Sequence, residues 1–456
     1  MNTLKVQQDS YKNTESWTDD LPVCKLSGMG FSTNQIYRED GHPQEDHPYE
    51  DTSSHFQFND HFCLYTVFDG HEGKKCADFC SQRLTAELYF NQIDEKETDE
   101  EVIEIIKQAF ITVERGYMDA LNDLLALRMS LQCDIPEGLS CYEAYQKMPD
   151  LMEQIKRINV DLAAGTAAAV ALICKNKLYV ANVGNCRVLL CQTDSNNVLK
   201  VVQLSVDHDL KNEDETLRLS QIGIKPHVIR SCSRLGNQDN TRCLGNYLIK
   251  GGYKEFEDLA MATQEPVISE PDIHGGILLD DSCRFLLLMT AGLYKCVEEA
   301  IGSDQVNKYI AQWVVEQFRE QATLTGVAQA VVDKVVRLHH DWYMSNSCNN
   351  SCTPKREDIT LVLRNFNFPM PNALKSPTKP SVQFNSVVVM KEIGESSSNL
   401  SLHTLTNASS ASSDSKANRE EVLGPDQRIP GYVDYGFFYE NFNRRLKSGQ
   451  LPDCLL

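Results

Sequence analysis

At 456 residues, with 41% hydrophobic and 24% charged side chains, the chain has the makeup of a globular protein, with room for one large domain and a tail or for two domains. A net charge of −20 excludes nucleic acid and anionic membrane as main partners, and no apolar run reaches the ~18 residues of a membrane span. Residues 1–9 carry neither the basic nor the apolar part of a secretory signal, and the 16 cysteines lack framework spacing, so free thiols in a reducing cytoplasm are expected.

Residues 1–15 are polar, which predicts a mobile N-terminus. From Trp17 the chain reads as ordered, and residues 24–37 mix short apolar stretches with Gly28 and Gly30. Residues 38–60 are acidic and carry His and Pro, the composition of a long surface loop. His42, Glu45, Asp46, His47, Glu50 and Asp51 offer ligand atoms there, but their spacing matches no metal pattern and a solvated loop is expected. Phe62 to Phe68 is dense in aromatic and β-branched residues, as a buried central strand would be. It runs into Asp69-Gly70-His71-Glu72-Gly73, where the glycines allow a tight turn and close backbone approach. An Asp carboxylate beside the Gly70 carbonyl suits a hard cation, Mg²⁺ or Mn²⁺, although Asp-Gly after a strand is more often a plain turn.

Helices are predicted over residues 74–93 and 98–125, the second opened by a Thr98-x-x-Glu101 capping box. Val102, Ile106, Phe110, Val113, Tyr117, Leu121 and Leu124 recur at helical spacing and form its core face. Pro and Gly interrupt residues 132–149, and a short helix to about residue 159 follows. Residues 165–204 then read as one β-meander, with turns at Lys175-Asn176-Lys177 and Gly184-Asn185. An acidic, helix-prone stretch runs from Asp207 to Ile222. Next come an apolar strand at 285–289, helices at 304–321 and 326–342, and a last strand at 359–364. Short strands alternating with paired long helices predict two sheets with helices packed outside, an α+β architecture.

Around residue 371 the composition changes. Residues 371–430 are rich in Ser, Pro, Asn and Lys and cannot bury enough apolar surface to order themselves, so a disordered linker is expected. Residues 387–390 form an apolar island in it, either a docking segment or a stray cluster. In residues 431–446, Tyr435, Phe438, Tyr439 and Phe442 fall on one face of a helix, an amphipathic stripe suited to a partner's groove, and residues 447–456 form a final tail. These rings would bury ~150 Å² each, a gross ~15 kcal/mol before ordering costs. No phosphate-binding glycine loop, nucleophile elbow or HExxH helix occurs, and Cys348 and Cys352 with His339 and His340 do not match a zinc pattern.

Val67-Phe68-Asp69-Gly70-His71-Glu72-Gly73 resembles the metal-binding turn of the metal-dependent, type 2C Ser/Thr protein phosphatases. The resemblance implies an αββα sandwich over residues 16–370, two central antiparallel sheets flanked by helices. It assigns Asp69 to two bridged metal ions, the Gly70 carbonyl to one of them, and His71 to general acid. Elsewhere this chain departs from the family. The Gly-Asp-Ser-Arg turn is Gly184-Asn185-Cys186-Arg187, and Ser-Asp-Gly is Thr290-Ala291-Gly292. Leu-Gly-Asp is Leu244-Gly245-Asn246, and the final Asp-Asn pair is Glu357-Asp358. The family's phosphate-gripping Arg, four residues before a Glu-Asp pair, falls on Gln35 or Asp46. One lost carboxylate at ~4 Å and an effective dielectric of ~20 is worth roughly 4 kcal/mol, about a thousandfold in ion affinity. Asp69, His71 and Glu357 are therefore expected as vestiges of a catalytic site, and Asn185 and Ala291 as lost ligands. A single weak Mg²⁺ or Mn²⁺ at Asp69 and Gly70 is compatible with this, and no cofactor is required. The expectation is a pseudophosphatase; the alternative is an active Mg²⁺/Mn²⁺-dependent phosphatase.

With its linker and aromatic terminal segment, the chain is similar to non-catalytic adaptors of that family that activate the TGF-β-activated MAP kinase kinase kinase. The resemblance is carried by Trp17-Thr18-Asp19-Asp20-Leu21-Pro22, Glu270-Pro271-Asp272-Ile273-His274-Gly275 and Tyr432-Val433-Asp434-Tyr435, among other stretches. It implies binding of the kinase catalytic subunit through Tyr432, Val433, Tyr435, Phe438, Tyr439 and Phe442, promotion of its autophosphorylation, and a cytoplasmic role in stress and innate immune signalling. A MAP kinase and a BIR domain of an inhibitor of apoptosis are further implied partners, although the 371–430 linker aligns poorly where a MAP kinase would dock.

Overall fold

In the computed structural model, residues 16–38, 44–91, 93–231, 234–346 and 355–373 are described, so the expected mobile N-terminus, most of the linker and the aromatic segment at 431–446 lie outside the described residues. Strands β1 (Ser27–Ser32), β2 (Gln35–Ile36), β3 (Thr52–Asn59) and β4 (Phe62–His71) lead into five helices. These are α1 (Lys75–Phe90), α2 (Asp99–Ala120), α3 (Asn122–Cys133), α4 (Cys141–Lys147) and α5 (Pro149–Ala163). Then come β5 (Gly165–Cys174), β6 (Lys177–Val183), β7 (Arg187–Thr193), β8 (Leu199–Gln203), α6 (Glu213–Gln221) and α7 (Pro226–Ser231). The remainder is β9 (Leu244–Gly245), β10 (Asp272–Leu278), β11 (Cys283–Met289), α8 (Ala291–Ile301), α9 (Val306–Glu320), α10 (Leu324–Asn346), β12 (Lys355–Arg356) and β13 (Ile359–Asn365).

One sheet has the order β10-β6-β5-β4-β3, with β9 on the end of β5; the other has the order β1-β13-β11-β7-β8. Neighbours in both are antiparallel. Alternation along β4 decides how the layers stack. Leu64 and Phe68 face α1 and α2, in a core shared with Leu84, Ile106 and Phe110. Tyr65 and Val67 face the second sheet, against Val188, Leu288 and Val362. That sheet's outer face packs Leu287, Leu361 and Leu363 on α8, α9 and α10. The expected αββα sandwich is thus what forms, and strands buried on both faces read as unbroken apolar runs.

Several local expectations need correction. The predicted meander is two hairpins: β5 and β6 belong to one sheet and β7 and β8 to the other, so the Gly184-Asn185 turn carries the chain between layers. The predicted surface loop at 38–60 ends in β3, whose residues pair along β4 from Thr52↔Phe68 to Asn59↔Phe62. The capping box at Thr98 and Glu101 forms, but the helix stops at Ala120 and α3 starts at Asn122; buried Leu121 sits at the break. Strands β1 and β10 and helices α4 and α8 were not expected. Among the described cysteines, Cys133 and Cys141 are exposed and ten others are buried, all as free thiols.

Strand β1 lies on α10 so closely that a Cβ at Gly28 would overlap the Leu324 backbone, which cannot yield as a side-chain tip would. Gly28→Ala should therefore cost about 1–3 kcal/mol. A lowered urea midpoint with an unchanged slope would show it, and an unaltered midpoint would contradict this packing.

Candidate functional site

The C-terminal end of β4 brings Asp69, Gly70 and His71 beside Ala167, Thr166 and Gly165 of β5, at the end of the sandwich where the two sheets meet. A Cβ at Gly70 would strike the Glu50 carbonyl, and Glu72 and Gly73 continue in the left-handed region (φ 56° and 106°), so this turn admits little other sequence. Glu50 Oε1 accepts the Gly73 N–H at 2.9 Å and fixes the turn from the side. From the second sheet, Ala291 opens α8, and its N–H donates to Asp69 Oδ2 at 2.8 Å. Asp69 thereby acts as a side-chain cap on that helix.

Behind Asp69 lies Asp51, 1% exposed, whose Oδ2 accepts from Thr290 Oγ1 (2.9 Å) and Thr360 Oγ1 (2.7 Å) while Oδ1 has no partner. Burial and the neighbouring Asp69 push its carboxyl pKa well up. Asp358 accepts from Asn34 N (2.6 Å) and Nδ2 (2.9 Å) and from Glu50 N (2.9 Å), so it braces the loop before β3. Across the cavity, Asn185 is buried, its Oδ1 accepts from Asn240 Nδ2 at 3.2 Å and its carbonyl accepts from Tyr294 Oη at 3.1 Å. Its turn is held by His208, fully buried between the Gly184 N–H (3.1 Å) and Asp272 (2.6 Å). His71 lies 3.4 Å from Asn246 Nδ2, and burial, with Lys250 and Arg234 adding repulsion, lowers its pKa to about 4. At physiological pH the imidazole is therefore held in its neutral form.

Asp69, Gly70, His71, Asn185, Ala291 and Glu357 all line one cavity of 460 Å³. The sequence reading thus gathered residues from four separate segments into one place. It missed the cations there. Lys295 reaches Glu357 at 3.4 Å, Lys355 reaches Asp46 at 2.6 Å, and Arg234 reaches Asp239 at 2.9 Å. Because Glu50-Asp51 is the acidic pair beside Asp69, the phosphate-gripping position falls on Asp46, which holds a lysine instead of being a basic residue itself. The partner-binding set Tyr432, Val433, Tyr435, Phe438, Tyr439 and Phe442 lies outside the described residues.

The donor set can be tested against the family's two ions. Asp69, the Gly70 carbonyl and the orphaned Asp51 oxygen are what one hard cation would use. A second ion does not fit: Ala291 offers a methyl group, the Asn185 amide oxygen is bonded to Asn240, and an ammonium, Lys295, shares the space. Among the described residues no group of three His, Cys, Asp or Glu side chains is arranged to hold a metal ion.

The fold is a type 2C phosphatase-like sandwich, with the cavity at the C-terminal end of β4. The family model described as Protein phosphatase 2C matches residues 116–337, a span that includes Asn185 and Ala291 but neither Asp69 nor Glu357. The chain is similar to TGF-beta-activated kinase 1 and MAP3K7-binding protein 1 of Caenorhabditis elegans, 26% identical over 356 residues, 76% of this chain and 83% of that protein. It is also similar to Probable protein phosphatase 2C 2 of Paramecium tetraurelia, 28% identical over 291 residues, 64% of this chain and 81% of that protein. Among solved structures, the serine-threonine phosphatase 2C from Toxoplasma gondii is 14% identical with a TM-score of 0.48, covering 76% of this chain and 98% of that one. The curated relatives and the family model agree with the phosphatase resemblance read from the sequence.

Burial, with Glu357 nearby, raises the Asp69 pKa to about 7, against the lowering effect of the Ala291 N–H. The folded protein then holds a proton that the unfolded chain releases near pH 4, so stability falls as pH rises from about 4 to 7. In EDTA, Asp69→Asn should match the wild type at pH 4 and be more stable at pH 8 by roughly 2 kcal/mol, about half the full shift because water reaches the carboxylate. Equal melting temperatures at pH 8 would contradict it.

Proposed function

We propose that this protein is a non-catalytic adaptor: a phosphatase-like scaffold that binds a TGF-β-activated MAP kinase kinase kinase through residues 432–446 and promotes its autophosphorylation in the cytoplasm. The observation that carries the non-catalytic half is the second ion's missing support, with Ala291 and Lys295 where a carboxylate and a cation site would stand. In-line attack on a phosphate ester by paired ions needs both to lower the pKa of the bridging water and to hold the leaving group. A single weak Mg²⁺ or Mn²⁺ at Asp69 and Gly70 is compatible with this role and would supply charge without that pairing. The kinase-binding half is supported by the name of the Caenorhabditis elegans relative, a kinase-binding protein, and by the aromatic stripe at Tyr435, Phe438, Tyr439 and Phe442. The relatives' names speak for neither a MAP kinase nor a BIR domain.

The second reading, an active Mg²⁺/Mn²⁺-dependent phosphatase, is favoured by the intact Asp69-Gly70 turn and by the similarity to the Paramecium tetraurelia proteins. The two separate cleanly. Purified protein in millimolar Mn²⁺ should release no more phosphate from a phosphopeptide than its Asp69→Ala variant. Turnover abolished by that substitution would establish the enzyme instead. In kinase pull-downs, removing residues 430–456 should abolish capture, and Tyr435→Ala with Phe438→Ala should weaken it roughly tenfold or more. Capture unaffected by the deletion would place the kinase contact elsewhere.

A further inference from the structure

The cavity is crowded with carboxylates, most of them already engaged. Asp358 accepts three N–H bonds, Glu50 takes the Gly73 N–H, Asp46 pairs with Lys355 and Asp239 with Arg234. There remain Glu72, Asp69, which accepts the Ala291 N–H, and Glu357, which pairs with Lys295. Its Nζ lies 3.4 Å from Glu357 Oε2, and it lines the same cavity as Asp69. Burial works against the ammonium, but Glu357 and Asp69 outweigh it and keep the amine charged.

Position along α8 gives this pairing its meaning. Lys295 stands one helical turn after Ala291, so both side chains occupy one face of the helix, and both line the cavity. The position that withholds a ligand atom and the position that supplies a charge look into the same space.

We propose that the Lys295 ammonium takes the place of the second divalent ion, a tethered cation that balances Asp69 and Glu357 and confines the cavity to at most one Mg²⁺ or Mn²⁺. At ~5 Å and an effective dielectric of ~40, its repulsion lowers the affinity for a divalent ion by on the order of a hundredfold. Because its charge is covalently attached, this balance survives chelation. The proposal deepens the altered-centre reading above, and since ions are counted without turnover or kinase, either can fail while the other stands.

The test is titration of the full chain with MnCl₂, following bound ion by calorimetry and stability by thermal melting. Wild type should take at most one Mn²⁺, and Lys295→Arg, which keeps the charge, should titrate in the same way. Lys295→Met should bind Mn²⁺ at least about tenfold more tightly, and should melt lower than wild type in EDTA, recovering with Mn²⁺. Combined with Ala291→Asp, it should take two ions. Two ions in wild type, or unchanged Mn²⁺ affinity in folded Lys295→Met, overturns the proposal. If Lys295→Met does not fold, the charge-balanced pair Lys295→Gln with Glu357→Gln replaces it. Tighter binding than in Glu357→Gln alone then supports the idea, and equal binding refutes it.

Discussion

A single hydrogen bond, from the Ala291 N–H to Asp69 Oδ2, joins the end of β4 in one sheet to the helix that leaves the other. It sits where the sandwich would otherwise fray, since both partners lie at element termini. Around it Thr290 and Thr360 exchange bonds: the Thr290 N–H donates to the Thr360 carbonyl (3.1 Å) and the Thr360 N–H to Thr290 Oγ1 (2.9 Å). Asp51 then accepts both hydroxyls. An N-terminal helix cap of this kind contributes about 1 kcal/mol. Its larger effect is geometric, because the carboxylates at this end of the molecule hold backbone.

That use of the carboxylates shows how this end of the sandwich keeps its shape through hydrogen bonds of its own. Fold and function are separable when the site is a set of side chains placed at strand ends. Here Asp358 anchors the Asn34 and Glu50 loops, Asp69 caps α8, and Asn185 is braced by Asn240, so each position keeps a structural task. Away from the cavity, the Glu215 carboxylate does comparable work. Although burial alone would raise its pKa, bonds from Arg242, Arg218 and Thr241 lower it to about 2.

Much of this was legible from the chain alone, for a reason specific to sandwiches. Strands β4, β5, β11 and β13 are covered on both faces, so their apolar runs stand out. By contrast β10 is an edge strand, Asp-Ile-His-Gly-Gly-Ile-Leu, with a bulge between His274 and Ile277, and it reads as loop. Strand β3 is hidden by the acidic residues that precede it and by its Ser, His and Gln. Helix α8 begins Ala-Gly directly after an apolar strand and lacks a side-chain cap of its own, the cap coming from Asp69, 222 residues away. Turn chemistry at Gly184 marks where the chain reverses without saying which sheet it joins next. For the site, motif comparison picked out residues that line the cavity, whereas Lys295 was invisible because its meaning depends on what faces it there.

The distribution of thiols has a practical consequence. Ten described cysteines are buried, spread over both sheets and the helices against them, while Cys133 and Cys141 flank the turn between α3 and α4. In the native molecule an alkylating reagent is confined, within the described region, to that one corner. Each additional label then records a local opening, and the order in which Cys76, Cys186, Cys243 and Cys296 become reactive would map which layer loosens first.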